Sequence, residues 1–227
     1  RVYGEERERS VLLLIDQRVS MFFGSRNAMK SVVAAEVAAL AAWRVIASGD
    51  RIGGIVFDDD HCHAFAERRS RGHVLAMLGQ LAKSNAALRP GRKSNAGQLN
   101  AAMDALLRRL SHDALVIYIG DGHGFDDATQ KLVKRIALHN DFLAVSVVDP
   151  AERELPDLEH LVVSDGDMQI SVSARGSATR NRYRELFAQD MGLMGAVLSR
   201  YGVPVITMNT VDPPLQQVIR ALGGLVK

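Results

Sequence analysis

Five short aliphatic runs, four of them ending at an aspartate, constrain the fold of this chain more than any other feature. They are VLLLID (residues 11–16), RIGGIVF (Arg51–Phe57, with Asp58 next), ALVIYIGD (114–121), FLAVSVVD (142–149) and VPVITMNT (203–210). Each is short, rich in β-branched residues and continuous rather than alternating, the pattern of a strand buried on both faces. Between them the apolar period becomes that of a helix. Leu99, Met103, Leu106, Leu107 and Leu110 fall on one stripe. A second helix is predicted from about Ala28 to Ser48, with Val33, Val37, Leu40 and Ala41 on one face and Gly49 as its stop. FDDATQKLVKRIALHN carries a cap in its Asp-Asp, and PPLQQVIRALGG starts on proline and ends on glycine. Strands alternating with helices give an α/β domain, Rossmann-like in its three layers, with a mostly parallel central sheet. HCHAFAER follows a strand after only the DDD turn, so Cys62–Arg68 is expected as an antiparallel edge strand. HLVVSDGDMQISVSA is expected to form a late hairpin or a strand extension around Asp165-Gly166.

With 227 residues and 47% hydrophobic content the chain can bury one substantial core without disulfides or metals, so a single domain over 1–227 is expected. The lone Cys62 offers no disulfide framework and fits a reducing compartment. No run reaches the roughly 18 apolar residues of a membrane span. The opening RVYGEERERS is charged rather than signal-like, and a cytoplasmic protein is expected. The chain begins with arginine rather than methionine, which leaves room for an upstream segment and any tether it carries. A net charge of +2, from 28 basic and 26 acidic side chains, is too balanced for a nucleic-acid footprint. RPGRK reads as a solvated loop.

In an open parallel sheet, ligands bind beyond the carboxyl ends of the strands. Asp16 and Asp121 end two strands, Ser20 follows the first, and Ser94 and Asn95 precede the Leu99 helix, where either can also serve as N-cap. Together Asp16, Ser20, Ser94 and Asp121 offer only hard oxygen ligands, of the type that suit magnesium, calcium or manganese. His123 is the histidine placed at that rim. Gly120, Gly122 and Gly124 do not make a phosphate loop, since no Lys-Ser/Thr follows. DDDHCH invites a zinc reading, but on a strand His61 and His63 share a face while Cys62 points away, and no second Cys or His pair follows at finger spacing. An exposed edge is expected there rather than a structural zinc site. Trp43 is expected in or beside the core. In NRYRELFAQDMGLMGAVLSR (181–200), the stripe of Leu186, Phe187, Met191, Leu193, Met194 and Val197 is expected to pack in the core, although its methionines and arginines also suit an adaptable partner surface.

LLLIDQRVSMFFGS, the long alanine-rich helix, SGDRIGGIVFDDD and IYIGDG, in that order, resemble a von Willebrand factor A-like domain. With ERERSVLLLID leading in, the chain more narrowly resembles the bacterial domain of unknown function 58 family, whose members are often encoded beside MoxR-type AAA+ ATPases. The resemblance covers residues 6–121 with motifs in order, and the remainder agrees in architecture. It implies a metal-ion-dependent adhesion site, built from an Asp-x-Ser-x-Ser turn, a threonine of a second loop and an aspartate of a third. Asp16 matches the first acid, Ser20 the second serine, Ser94 the threonine position and Asp121 the last acid, with magnesium or manganese as the ion implied. Arg18 stands where the first serine belongs, and a guanidinium can pair with carboxylate in place of an ion, making the site degenerate. The resemblance further implies a non-catalytic interaction module with a partner-binding rim of Gln17, Met21, Asn95 and His123. Its partner would be a MoxR-type ATPase or that ATPase's client, in assembly or maturation of a complex, with no small-molecule substrate. The alternative is a magnesium-dependent phosphatase of the haloacid dehalogenase type, which GDGHGFDD and LLLID resemble. That chemistry needs an aspartate as general acid two residues after the nucleophile, where this chain has Arg18.

Overall fold

The computed structural model describes residues 8–153, 161–164, 169–172 and 192–223. Its centre is a six-stranded sheet of β1 (Ser10–Asp16), β2 (Arg51–Phe57), β3 (Cys62–Arg68), β4 (Leu115–Gly120), β5 (Asp141–Val148) and β8 (Val205–Asn209), in the order β3-β2-β1-β4-β5-β8. All neighbours run parallel except β3, which pairs antiparallel with β2 at the sheet edge. A separate antiparallel pair joins β6 (Leu161–Ser164) with β7 (Gln169–Val172), while the turn expected around Asp165-Gly166 lies outside the described residues.

Every residue of β1 is buried, because strands flank it on both sides and helices cover both faces. Alternation along it feeds two core layers. Val11, Leu13 and Ile15 pack with α1 (Lys30–Ala47) and α2 (Arg71–Ala86), while Leu12 and Leu14 pack with α3 (Gln98–Leu107), α4 (Asp127–Ala137) and a helix at residues 192–200, here α6. A short α5 (Pro150–Arg153) follows β5, and α7 (Pro214–Gly223) closes the described chain, with Val218 against the first layer. No helix among the described residues is long and apolar enough to cross a membrane.

Several expectations need correction. Helix α2 is absent from the pattern reading, although Ser70 caps it by accepting from the His73 N–H and Val74, Met77 and Leu81 are buried on it. On α1 the buried face is Val33, Ala34, Val37, Ala38 and Ala42, so Leu40 and Ala41 sit at its margin. Helix α3 stops at Leu107, leaving Leu110 beyond it. Trp43 is 38% exposed on the outer side of α1, and Leu193 is also exposed. Met194 and Val197 are buried as the stripe requires, while Leu186, Phe187 and Met191 lie outside the described residues.

One glycine is demanded by the sheet itself. Gly54 in β2 has φ +149°, and a Cβ there would fall 2.1 Å from the Leu13 carbonyl oxygen of β1. An irregularity in the β2–β3 register lies at this point, between Ile52 and Gly54.

Candidate functional site

The parallel order brings the carboxyl ends of β1 and β4 side by side, and with them Asp16 and Asp121. Between these acids lies Arg18, fully buried at the start of a short 3-10 turn, Val19–Met21. Its guanidinium forks onto Asp16, with Nε 3.0 Å from Oδ1 and Nη2 2.6 Å from Oδ2, and its backbone N–H also donates to Oδ1 at 3.0 Å. Nη2 donates to the His123 carbonyl at 2.9 Å and Nη1 to that of Ala96 at 3.3 Å. Asp121 Oδ1 is 3.9 Å from Nη2, and the guanidinium stands over the Phe57 ring. One side chain therefore joins the loops after β1, before α3 and after β4. Gly124 (φ +78°) permits this closeness, since a Cβ there would meet the Ala96 carbonyl at 2.6 Å.

A second buried cation completes the group. Lys30, the first residue of α1, reaches Asp121 Oδ2 at 2.9 Å and also pairs with Glu152 of α5. A lysine opposes the helix dipole at that position, so its charge must be answered elsewhere. Asp121 Oδ1 accepts the His123 N–H at 2.9 Å. All four oxygens of Asp16 and Asp121 thus accept from nitrogen. Burial pushes the Asp16 carboxyl upward against the pull of Arg18. Burial would raise Asp121 too, but the Lys30 ammonium and then the Arg18 guanidinium hold it well below the usual carboxylate range. Tyr118, whose hydroxyl accepts from the Gly122 N–H at 3.0 Å, is pushed up by burial and by both aspartates.

The other candidates divide. Asn95 is exposed and tied to the rim, its N–H on Asp59 Oδ1 at 2.9 Å, while Asp59 Oδ2 accepts the Val19 N–H at 2.7 Å. His123 is exposed beside Asp121. Ser94 lies half-buried in the loop before Asn95, with no side-chain hydrogen bond to this group among the described residues. Ser20 Oγ is buried without a partner among the described residues. Gln17 and Met21 require correction as partner-binding residues, because both are fully buried. Gln17 is spent inside, donating to the Ser31 carbonyl and accepting from Asn85, and the 3-10 turn tucks Met21 into the first core layer. Lys30, Asp59 and Glu152 were missed by sequence reasoning. Only the lysine left a signal, as a cation at the wrong end of a long helix.

The profile of the family described as "Protein of unknown function DUF58" matches residues 1–193. The chain belongs to the DUF58 family. An uncharacterized protein of Mycobacterium tuberculosis is 25% identical over 220 residues, which is 96% of this chain and 68% of that protein. Among solved structures, the conserved hypothetical protein BatB from Bacteroides thetaiotaomicron superposes with a TM-score of 0.59 at 14% identity, over 96% of this DUF58 chain and 97% of BatB. The Rpn10 VWA domain superposes at 0.50 with 11% identity, over 94% and 95% of the two chains. These likenesses establish a von Willebrand factor A-like fold for the DUF58 chain, consistent with its mostly parallel sheet and antiparallel edge strand.

Proposed function

We propose that this domain is a non-catalytic protein-interaction module in which fixed cations replace the ion of a metal-dependent adhesion site. The observation that carries the reading is the seating of Arg18 on Asp16 and of Lys30 on Asp121. A divalent ion needs carboxylate oxygens free to coordinate it, and here each already accepts from nitrogen. Of the expected set, the buried Ser20 hydroxyl has no partner among the described residues and Ser94 makes no side-chain hydrogen bond to the group, and neutral hydroxyls do not offset two positive charges. The residues present do not fit magnesium or manganese. Titration calorimetry with either ion is expected to give no heat of binding at millimolar concentration for the parent. Tight binding by the parent, unchanged in Arg18→Ser, would show that the arginine does not stand in for the ion.

The exposed part of the rim is Asn95, His123 and Phe23, the last 42% exposed on the loop after β1. Exposed polar and aromatic side chains on the loops at this end of the sheet are a composition suited to a protein surface. Following the family resemblance, the partner is a MoxR-type ATPase or its client, with the domain acting as a cytoplasmic adaptor in assembly of a complex. Arg18 also argues against a phosphatase, since a permanently protonated guanidinium cannot give up a proton to a leaving group. The purified domain is expected to bind the MoxR-type ATPase of its own organism in sedimentation, to lose that binding on combining His123→Glu with Phe23→Asp, and not to hydrolyse p-nitrophenyl phosphate. Binding indifferent to the rim variants, or magnesium-dependent turnover abolished by Asp16→Asn, would overturn the reading.

A further inference from the structure

The turn between β2 and β3 brings together three side chains that the linear spacing of DDDHCH separates. Asp59 and Asp60 form its tip, and the hairpin closes where the Asp58 N–H donates to the His61 carbonyl at 3.0 Å. Asp58 therefore faces His61 across the hairpin. Val56 is paired with His63, so Asp58, His61 and His63 share one face of the ribbon. Ligand atoms of the three lie within 4.8 Å of one another. The strand is the exposed edge expected of it, its residues alternating between half-buried and exposed. What linear spacing does not display is the Asp58 carboxylate, which the turn folds back onto the two histidines.

We infer that Asp58, His61 and His63 form a binding site for a borderline divalent cation such as zinc, separate from the Asp16–Arg18 group. Two imidazole nitrogens and one carboxylate oxygen are a donor set that suits zinc, cobalt, nickel and copper over magnesium or calcium. In tetrahedral zinc, with bonds of about 2.0 to 2.1 Å, ligand atoms stand roughly 3.3 Å apart. His61 Nδ1 already stands 3.5 Å from the Asp58 carboxylate, at Oδ1, so ring and carboxylate are neighbours before any ion binds. The two imidazole rings lie 24° from parallel with centroids 5.8 Å apart, and the His61 side chain, 67% exposed, has room to turn toward an ion. Asp58 is prepared for the task. It is nearly buried, and its Oδ1 is fixed by the N–H groups of Asp60 and His61, both at 2.9 Å, leaving Oδ2 for an ion. Three protein ligands leave a fourth position for water or for a donor from another molecule. Cys62 is not part of the set. It alternates to the opposite face, packs against the second core layer, and burial and then Asp58 push its thiol up.

The site is also placed to act on the rim, because Asp59 holds the Val19 and Asn95 backbones one residue along from Asp58. The test is titration of the metal-stripped domain with zinc, with cobalt as a spectroscopic probe. One equivalent of zinc is expected to bind, and cobalt to show visible bands of low-coordinate geometry. Loss of even a supporting partner of a ligand weakens metal affinity about 10- to 100-fold, so His61→Ala, His63→Ala and Asp58→Asn should each weaken zinc by at least about tenfold. Asp58→Asn keeps the Oδ1 acceptor of the turn, and circular dichroism confirms that each variant is folded. His112→Ala with His139→Ala, a second histidine pair whose rings lie 4.9 Å apart, should leave binding unchanged. The inference is overturned if the parent binds no zinc, if binding survives the three hairpin substitutions, or if it is lost with His112 and His139 instead.

Discussion

Arg18 and Lys30 face the same problem, a positive charge removed from water, and solve it differently. Arg18 spreads a planar fork over Asp16 and two carbonyls, whereas Lys30 places a compact ammonium between Asp121 and Glu152. Arg18→Lys keeps the charge and loses the fork. It is expected to cost about 1.5 to 3 kcal/mol in urea unfolding, the range for a hydrogen bond to a charged group. Asp121→Asn removes the negative charge that both cations approach, and stranding a buried charge costs on the order of 3 to 5 kcal/mol at neutral pH. The pH dependence has a definite sign. A carboxyl whose folded value is depressed stabilises the protein above its ordinary value of 3.8, and that contribution is lost as pH falls through and below this point. The stability gap between parent and Asp121→Asn should therefore be constant above about pH 5 and shrink in more acid solution. Asp16 and Glu152, raised by burial, act oppositely and stabilise as they protonate. A gap that widened toward acid would mean that Asp121 is not held ionised by its cations.

Between elements, backbone contacts leave little tolerance. Gly54→Ala would bring a methyl within 2.1 Å of a main-chain oxygen at a φ that side chains rarely adopt, with no flexible group able to yield. We expect about 3 kcal/mol or more of destabilisation, or failure to accumulate as folded protein, against a much smaller effect at Gly79 on α2, where no atom lies within 4 Å of the added carbon. Comparable losses at the two sites would show that the contact relaxes. The elements differ in how far the sequence exposes them. The strands were legible because each is an uninterrupted aliphatic run, and β3 because the DDD turn is too short for a crossover. Helix α2 was not, since His73, Gln80 and Lys83 dilute its apolar stripe and only its Ser70 cap marks it. At the rim, Asp16 and Asp121 could be placed because strand ends are readable. The pairing of Lys30 with Asp121 could not, because it joins residues 91 positions apart through tertiary packing alone. Burial of Gln17 and Met21 was illegible for a similar reason: whether a turn residue faces water depends on the 3-10 geometry that follows Arg18.

At the scale of the whole molecule, the sheet divides the core into two layers that share no side chain yet depend on the same strands. Leu13 and Leu14 are successive residues of β1 and belong to opposite layers, so losing either layer strips water-excluding cover from a sheet the other needs. The layers should then unfold together, although substitutions in them act on separate contacts. Trp43, the only tryptophan, lies partly exposed on α1, whose other face packs the first layer, so its fluorescence reports unfolding of that helix, while circular dichroism reports helices on both sides of the sheet. Ile136→Val in α4, on the far side of the sheet, removes one buried methylene at a cost of about 0.5 to 1.5 kcal/mol. It should lower the urea midpoint seen by Trp43 fluorescence as much as the midpoint seen by dichroism. Combined with Ile52→Val in the first layer, the two losses should add to within about 0.5 kcal/mol, as for sites without shared contacts. A Trp43 transition unmoved by Ile136→Val would mean that the layers melt separately and that the sheet does not couple them.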